Sequence, residues 1–494
     1  MRNVSLYGTD PAVVYRGERL SWSGLAERAF RAANALLGEG VRRGDRIGVL
    51  QANSPEIFEL AFAAALVGAA VVPISPLSVT AEVRYITADA ELRLAFAEDQ
   101  HPAAPGFGST PVVRTGHRDY AAFRDAASPL EPEQREQPGD AVLQLYTSGT
   151  TGRPKGVVLS QHAMIQNGMS VQLSQRLRHE DVYLTATPLA HAGSGTRIFS
   201  LAIDGMCQVI LRKFSPDAFF DAIEQQRVTT TLLVPTMLRA ILDSPRLDTA
   251  DLTSLRFIVY GAAPTALDLI TEACQRLPCG LLQGYGLTEG NPALTVLTPE
   301  EHRRFAADRR LQARLTSAGR PVPGTRFRVA NPDAEPPGVG ELQVRSTKAM
   351  TEYWRDPDRT RTAFPDGWLA TGDLGWIDDD GFVYIVDRQK DMLISGGLNV
   401  YPSEIERVLR AVPNVRDVAV VGVPHDHWGE TPVAYVVDDG DDEMPALLRQ
   451  ACDDQLARYK RPNRIVRVGS LPRTETGKVM KRSLREQAIA DAGA

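Results

Sequence analysis

The chain alternates two hydrophobic rhythms from its first residues. Ala12–Tyr15 and Leu20–Trp22 are short apolar runs on either side of a polar turn at Gly17. From Ser23 to Leu37 the apolar residues Leu25, Ala29, Ala32, Ala33, Leu36 and Leu37 recur at helical spacing, and the run stops before Gly38. Ile47–Leu50 reads as a short strand. Ser54, Pro55 and Glu56 then open a helix, with a capping residue ahead of a proline in the first turn. Ala69–Pro73 and Leu92–Ala97 read as further buried strands. Strand–helix–strand alternation of this kind predicts parallel sheets covered by helices, an α/β fold.

Residues 100–140 are rich in Pro, Gly, Ala and charge and read as a surface excursion. Val142–Tyr146 is a strong strand that runs straight into a polar loop of Gly, Thr and Ser. Thr230–Val234 and Arg256–Tyr260 are later strands, residues 299–315 an exposed charged helix, and residues 331–340 a turn between two strands. After about residue 387 the texture changes. Short strands at Met392–Ile394, Val418–Val423 and Val433–Val437 alternate with charged helices at Ser403–Leu409 and Ala446–Ala457, as in a separate small α+β domain.

Composition narrows the function. The longest apolar run, Leu60–Ile74, is broken by Gly68. It falls short of the roughly 20 residues that span a bilayer and reads as a buried helix followed by a buried strand. No secretory signal is visible, because Met1–Asp10 has no apolar core. The net charge of −6 is spread over interspersed signs, which argues against a nucleic-acid partner. Cys207, Cys274, Cys279 and Cys452 form no CxxC pair and join no zinc-like His cluster. They read as reduced, buried thiols of a cytoplasmic protein.

The most informative stretch is Tyr146-Thr147-Ser148-Gly149-Thr150-Thr151-Gly152-Arg153-Pro154-Lys155-Gly156. Its glycines let the backbone approach a ligand closely. Its hydroxyls and backbone N–H groups can surround phosphate oxygens, and Lys155 adds a point charge. It is not a Walker loop, since Gly156 follows the lysine.

This stretch closely resembles the phosphate-binding signature of the acyl-adenylate-forming superfamily. That superfamily includes acyl-CoA synthetases, aryl-CoA ligases, beetle luciferases and the adenylation domains of nonribosomal peptide synthetases. Further segments match it in order along nearly the whole chain. They are Pro188–Gly193 beside the acyl pocket, Tyr260-Gly261-Ala262-Ala263-Pro264, Gln283–Glu289, Trp368–Asp373, Asp387–Asp391 with Ser395-Gly396-Gly397 and Asn399–Pro402, and Pro472–Lys478. The spacing from Gly284 through Gly286 to Gly290 is one residue too long for a dinucleotide fingerprint.

The resemblance implies roles. Thr147, Ser148, Gly149, Thr150, Thr151 and Lys155 would hold the ATP phosphates. Gly261, Ala262, Ala263, Gln283, Gly284 and Tyr285 would seat the nucleotide, and Asp373 and Arg388 would bind ribose. Thr288 would touch phosphate and Glu289 would hold Mg²⁺. Lys478 would be the mobile catalytic charge, and Lys390 the hinge. Ser395, Gly396 and Gly397 would line the thiol tunnel. His191 would gate the acyl pocket. The family more often has Gly where this chain has Asp387, a departure at the local backbone.

The implied architecture is a large N-terminal domain, 1–387, of α/β subdomains with helix-covered sheets plus a β-barrel-like part. A small mobile α+β domain, 391–494, follows a hinge at about 388–390. The implied reaction is ATP-dependent activation of a carboxylic acid to an acyl-adenylate with pyrophosphate release, then transfer to the thiol of CoA. An enzyme that loads a carrier-protein phosphopantetheine shares every one of these motifs and stays open, with an acyl carrier protein as its partner. The assembly expected is a monomer or homodimer.

The implied acyl pocket, at Ala192, Gly193, Ser194, Val234, Gly286 and Leu287, is small or apolar and favours an aliphatic or aryl acid. No Asp stands near His191–Ala192 to pair an ammonium, which counts against an α-amino acid. Arg197 could meet a second carboxylate, but a solvated helix position is the expectation.

Overall fold

The computed structural model describes residues 2–133, 137–147, 153–330, 338–395, 398–425, 428–440, 442–474 and 477–491. The chain divides into two compact units, Met1–Phe327 with Val344–Leu369, and Arg328–Gln343 with Ala370–Ala494. The expected hinge at 388–390 falls inside the second of these.

The first unit holds two helix-covered sheets. The helix Trp22–Gly38 shows how directly the pattern becomes structure. Ser21 caps it by accepting from Gly24 N at 3.1 Å, and it buries Leu25, Ala29, Ala32, Ala33 and Leu36. Trp22 opens this helix instead of closing the preceding strand. The apolar run at 60–74 is the helix Pro55–Leu66 followed by the strand Ala70–Ile74. A seven-stranded sheet runs Glu352–Tyr353, Lys155–Ser160, Ala141–Thr147, Ala70–Ile74, Arg46–Leu50, Leu92–Glu98, Val112–Thr115. The segment 100–140 is therefore more than a surface excursion. Val112–Thr115 pairs in parallel with Leu92–Glu98, and the helix Arg118–Asp125 buries Tyr120.

The nine-stranded sheet has a core of six parallel strands: Pro11–Tyr15, Cys207–Ile210, Val182–Thr185, Thr230–Leu233, Phe257–Gly261 and Gly280–Tyr285. Their register aligns Leu233 with Tyr260, Tyr260 with Gln283 and Gly261 with Gly284. The carboxyl ends of these three strands thus share one edge, where open α/β sheets bind ligands.

Where a barrel-like part is expected, a four-stranded sheet runs Thr325–Ala330, Gly340–Ser346, Leu369–Ile377, Val383–Arg388. In the second unit a five-stranded sheet is built on the long antiparallel pair Val415–His425 and Gly429–Asp438, with the helices Pro402–Arg410, Met444–Gln455 and Lys481–Ala490. Cys207 and Cys452 are buried as expected, whereas Cys274 and Cys279 are only half-buried. Among the described residues no helix is long and apolar enough to cross a membrane.

Candidate functional site

The polar segment at 147–155 joins two antiparallel strands, Ala141–Thr147 and Lys155–Ser160, whose register pairs Thr147 with Lys155 and Tyr146 with Gly156. Ser148, Gly149, Thr150 and Thr151 lie outside the described residues. Both ends of the segment are fixed from one helix, Thr80–Ala90. The Tyr146 hydroxyl donates to Asp89 Oδ2 at 2.6 Å, and the Tyr85 hydroxyl donates to the Pro154 carbonyl at 2.8 Å. Thr147 Oγ1 is buried with no hydrogen-bond partner among the described residues.

Lys155 does not stand alone. Its ammonium lies 2.8 Å from Glu289 Oε1, and the Tyr353 hydroxyl donates to the same oxygen at 2.8 Å. The ammonium also bonds that hydroxyl and lies 4.0 Å from the centre of the Tyr353 ring. Glu289 is buried at 8 % exposure. Burial pushes its carboxyl up, but the Lys155 charge and the hydrogen bonds outweigh that and hold it below the usual carboxylate range. Burial, reinforced by Glu289, pushes the Tyr353 hydroxyl up, so it stays a donor.

Beside this cluster runs the edge of the nine-stranded sheet. A Cβ on Gly261 would stand 2.2 Å from the Gly284 carbonyl oxygen, so only glycine fits. Ala262 takes φ +65°, an uncommon conformation for a residue with a Cβ and one that clusters at ligand sites. Ala263 follows it in the same loop. Gln283, Gly284 and Tyr285 close the strand Gly280–Tyr285, and Gln283 Oε1 is buried without a partner among the described residues. Gly286 and Leu287 lead into the single turn Thr288–Gly290, which carries Thr288 and Glu289. Val234 precedes the helix Pro235–Leu242. His191 precedes the turn Ala192–Gly195, whose Gly193 would place a Cβ 3.9 Å from Leu232. The Ser194 hydroxyl bonds that of Thr187.

In the second unit, antiparallel pairing sets Asp373 opposite Arg388, and Arg388 Nε donates to Asp373 Oδ1 at 2.6 Å. Asp373 is buried at 2 % exposure. Lys390 is exposed in the turn that follows. Lys478 is an exposed residue, yet its ammonium is crowded by protein atoms. That desolvation first, then the charges of Arg388 and Lys390, pushes its pKa down to about 8, an effect that solvent screens on so open a side chain. Asp387 accepts from Arg388 N at 2.8 Å and from Ser403 N at 2.9 Å. It thereby ties the strand Val383–Arg388 to the helix Pro402–Arg410. Ser395 is buried at the end of the strand Leu393–Ser395, while Gly396 and Gly397 lie outside the described residues.

Two groups escaped the sequence reading. Tyr353 meets Glu289 across 64 positions, and Asp89 reaches Tyr146 across 57. No local spacing announces either contact. Arg197 corrects an expectation: it is not solvated but buried at 4 % exposure, donating to Gln175 Oε1 at 3.0 Å.

Comparison with known proteins agrees in two segments. Residues 2–354 match the model of the AMP-binding enzyme family, and residues 404–478 match that of the AMP-binding enzyme C-terminal domain. The chain is 36 % identical to the fatty acid–[acyl-carrier-protein] ligase ScoC of Streptomyces coeruleorubidus, covering 98 % of this chain and 94 % of that one. It is 37 % identical to a feruloyl-CoA synthase of an Amycolatopsis species, covering 96 % and 95 %. Among solved structures it resembles the o-succinylbenzoate CoA synthetase of Bacillus subtilis in complex with its acyl-adenylate intermediate. That likeness has a TM-score of 0.87 at 29 % identity, covering 98 % and 97 % of the two chains.

Proposed function

This chain belongs to the AMP-binding enzyme family, and from that premise we propose that it activates an aryl or medium-chain aliphatic acid and passes the acyl group to CoA. It is an acid–thiol ligase that forms an acyl-adenylate from ATP and then a thioester. The observation that carries the site assignment is the buried Lys155–Glu289–Tyr353 cluster beside the glycine edge at Gly261 and Gly284.

The chemistry needs such a cluster. A carboxylate must attack the α-phosphorus of ATP, and both partners are anionic. Preorganised positive charge lowers that barrier more than covalent help does. Lys155 and the hydroxyls of the segment 147–151 take the phosphates. Glu289 is a lone buried carboxylate, and among the described residues no group of three acid, His or Cys side chains could cage a metal. One carboxylate plus substrate phosphates suits Mg²⁺, which keeps several waters. When bound, Mg²⁺ supplies further charge neutralisation at the phosphates. Lys155 bonds the Glu289 oxygen, so contact with phosphate requires the lysine to share or exchange that partner.

Asp373 and Arg388 hold ribose. Lys478 neutralises the reacting carboxylate and α-phosphate, and a turn of the C-terminal domain about Lys390 separates the two half-reactions. Ser395, Gly396 and Gly397 then line the path of the thiol arm, and His191 gates the acyl side.

A second acceptor, a carrier-protein phosphopantetheine, is favoured by the likeness to the acyl-carrier-protein ligase. Unpaired thiols at Cys207, Cys274, Cys279 and Cys452 support a reducing, cytoplasmic setting for a monomer or homodimer. The test is hydroxamate trapping over an acid panel, then CoA against holo-carrier protein as acceptor. Pyrophosphate release with no acid-dependent increment would sink the reading.

A further inference from the structure

Two buried basic side chains in the first unit have no acid beside them among the described residues. Arg197 is 4 % exposed and Lys348 is 2 % exposed. Arg197 donates to the Gln175 side chain and lies 5.5 Å from the centre of the Tyr183 ring. Lys348 donates to the Ala293 carbonyl at 2.6 Å and to Ser170 Oγ at 3.3 Å. Neither meets a carboxylate among the described residues. Arg197 is instead among the groups that lower the Lys348 pKa, after desolvation. Nearby polar groups are also incomplete: Asn167 Oδ1, Gln172 Oε1, Ser200 Oγ and Thr230 Oγ1 are buried without partners among the described residues. Buried charge of one sign, with no counter-charge, is costly.

The register shows where this cluster sits. In parallel pairing, aligned residues share a face. Tyr183 aligns with Thr230, Thr230 with Phe257, Val259 with Leu282, and Gly261 with Gly284. One sheet face therefore runs from the glycine edge, past Val259 and Leu282, down to Tyr183 and Thr230. The four residue steps from Gly261 to Phe257 span about 13 Å. At the top of the face the glycines leave room: a Cβ on Gly284 would meet only Val259, at 3.7 Å, and one on Gly193 only Leu232, while Val259 and Leu282 below them are buried apolar side chains. Arg197 lies above Tyr183 at the far end, one turn beyond Ser194. Lys348 borders the same run, because the Ala293 nitrogen lies 2.9 Å from where a Cβ on Gly286 would stand.

We propose that the acid this enzyme activates carries a second carboxylate at its distal end, held by Arg197 and Lys348 on the inner sheet face. The guanidinium has N–H donors for a bidentate pair, and Lys348, whose amine takes up a proton as the carboxylate arrives, adds the second charge. The proposal rests on the ligase reading and adds to it the character of the acyl tail.

The experiment compares acids that differ only in the distal carboxylate: suberic acid against octanoic acid, and 4-carboxycinnamic acid against cinnamic acid. Acid-dependent pyrophosphate release is read for the wild type, Arg197→Met and Lys348→Met. In at least one pair the wild type is expected to favour the diacid by about tenfold or more in kcat/KM. Both variants should lose that preference, Arg197→Met inverting it. Thermal unfolding separates this from a structural role. Removing an unpaired buried cation should leave the unfolding temperature equal or higher, and added diacid should raise it in the wild type only. Wild-type preference for the monoacid in both pairs, with a ratio that Arg197→Met does not move, overturns the proposal. So does a large fall in unfolding temperature in both variants. Inactivity of every acid overturns the ligase reading instead.

Discussion

Replacing Glu289 by Gln tests the centre of the site, because the change removes one charge and almost no volume. Glu289 and Lys155 are 2.8 Å apart, with side chains only 11 % and 19 % exposed. At an effective dielectric near 20, unit charges at that distance attract by about 6 kcal/mol. Desolvation offsets much of it. Removing one member of such a pair typically costs about 3–5 kcal/mol, since the other charge stays buried. Gln still offers Lys155 and Tyr353 an acceptor, so we expect about 2–3 kcal/mol of destabilisation. Urea unfolding of wild type, Glu289→Gln, Lys155→Met and the double variant measures it. The double variant should lose less than the sum of the singles, by about 1–3 kcal/mol. The carboxyl is held below its ordinary value, so this contribution is present above the unfolded carboxyl pKa of about 4.5. It is lost as pH falls through the lower folded value. In ATP–pyrophosphate exchange the Mg²⁺ midpoint should move up about tenfold. Additive single and double variants would refute the pairing, and an unchanged Mg²⁺ titration would remove Glu289 from the metal.

Lys478→Ala should abolish adenylation yet spare thiol transfer from a supplied acyl-adenylate; equal loss in both half-reactions contradicts its role. In the wild type, adenylation should decline as pH rises through about 8, where that ammonium loses its proton. Lys390→Pro should depress thiol transfer most, and a normal second half-reaction would argue against a hinge there. Tyr85→Phe frees the Pro154 carbonyl and should raise the KM for ATP roughly fivefold with little change in kcat, the equivalent of about 1 kcal/mol. Burial pushes Lys348 from 10.5 down to about 7, so the unfolded chain holds this proton over that window and the folded chain does not. Stability should therefore rise with pH between about 7 and 10.5, by at most about 5 kcal/mol relative to Lys348→Met. Parallel pH–stability curves for the two proteins would refute that.

Local pattern was enough for much of this molecule. The helical spacing of Leu25, Ala29, Ala33 and Leu36 and the break at Gly68 fix where elements begin and end, because side-chain period is a local property. The order of the segments from Tyr146 to Lys478 identifies the reaction class, because phosphate, ribose and thiol each need particular groups in sequence. Short strands buried on both faces, such as Val182–Thr185 and Cys207–Ile210, carry no alternation and escape such a reading. The pairing of Lys155 with Glu289 and Tyr353 was equally hidden, since strand pairing sets Tyr353 beside Lys155 and only packing of the turn Thr288–Gly290, from the other sheet, adds Glu289. Arg197 is the sharpest case. One turn of helix around it reads as solvated, and the sheet beneath and the helix Gln161–Gln175 beside it bury it. Burial is a sum over distant segments, so charge balance in the interior was decided by tertiary structure.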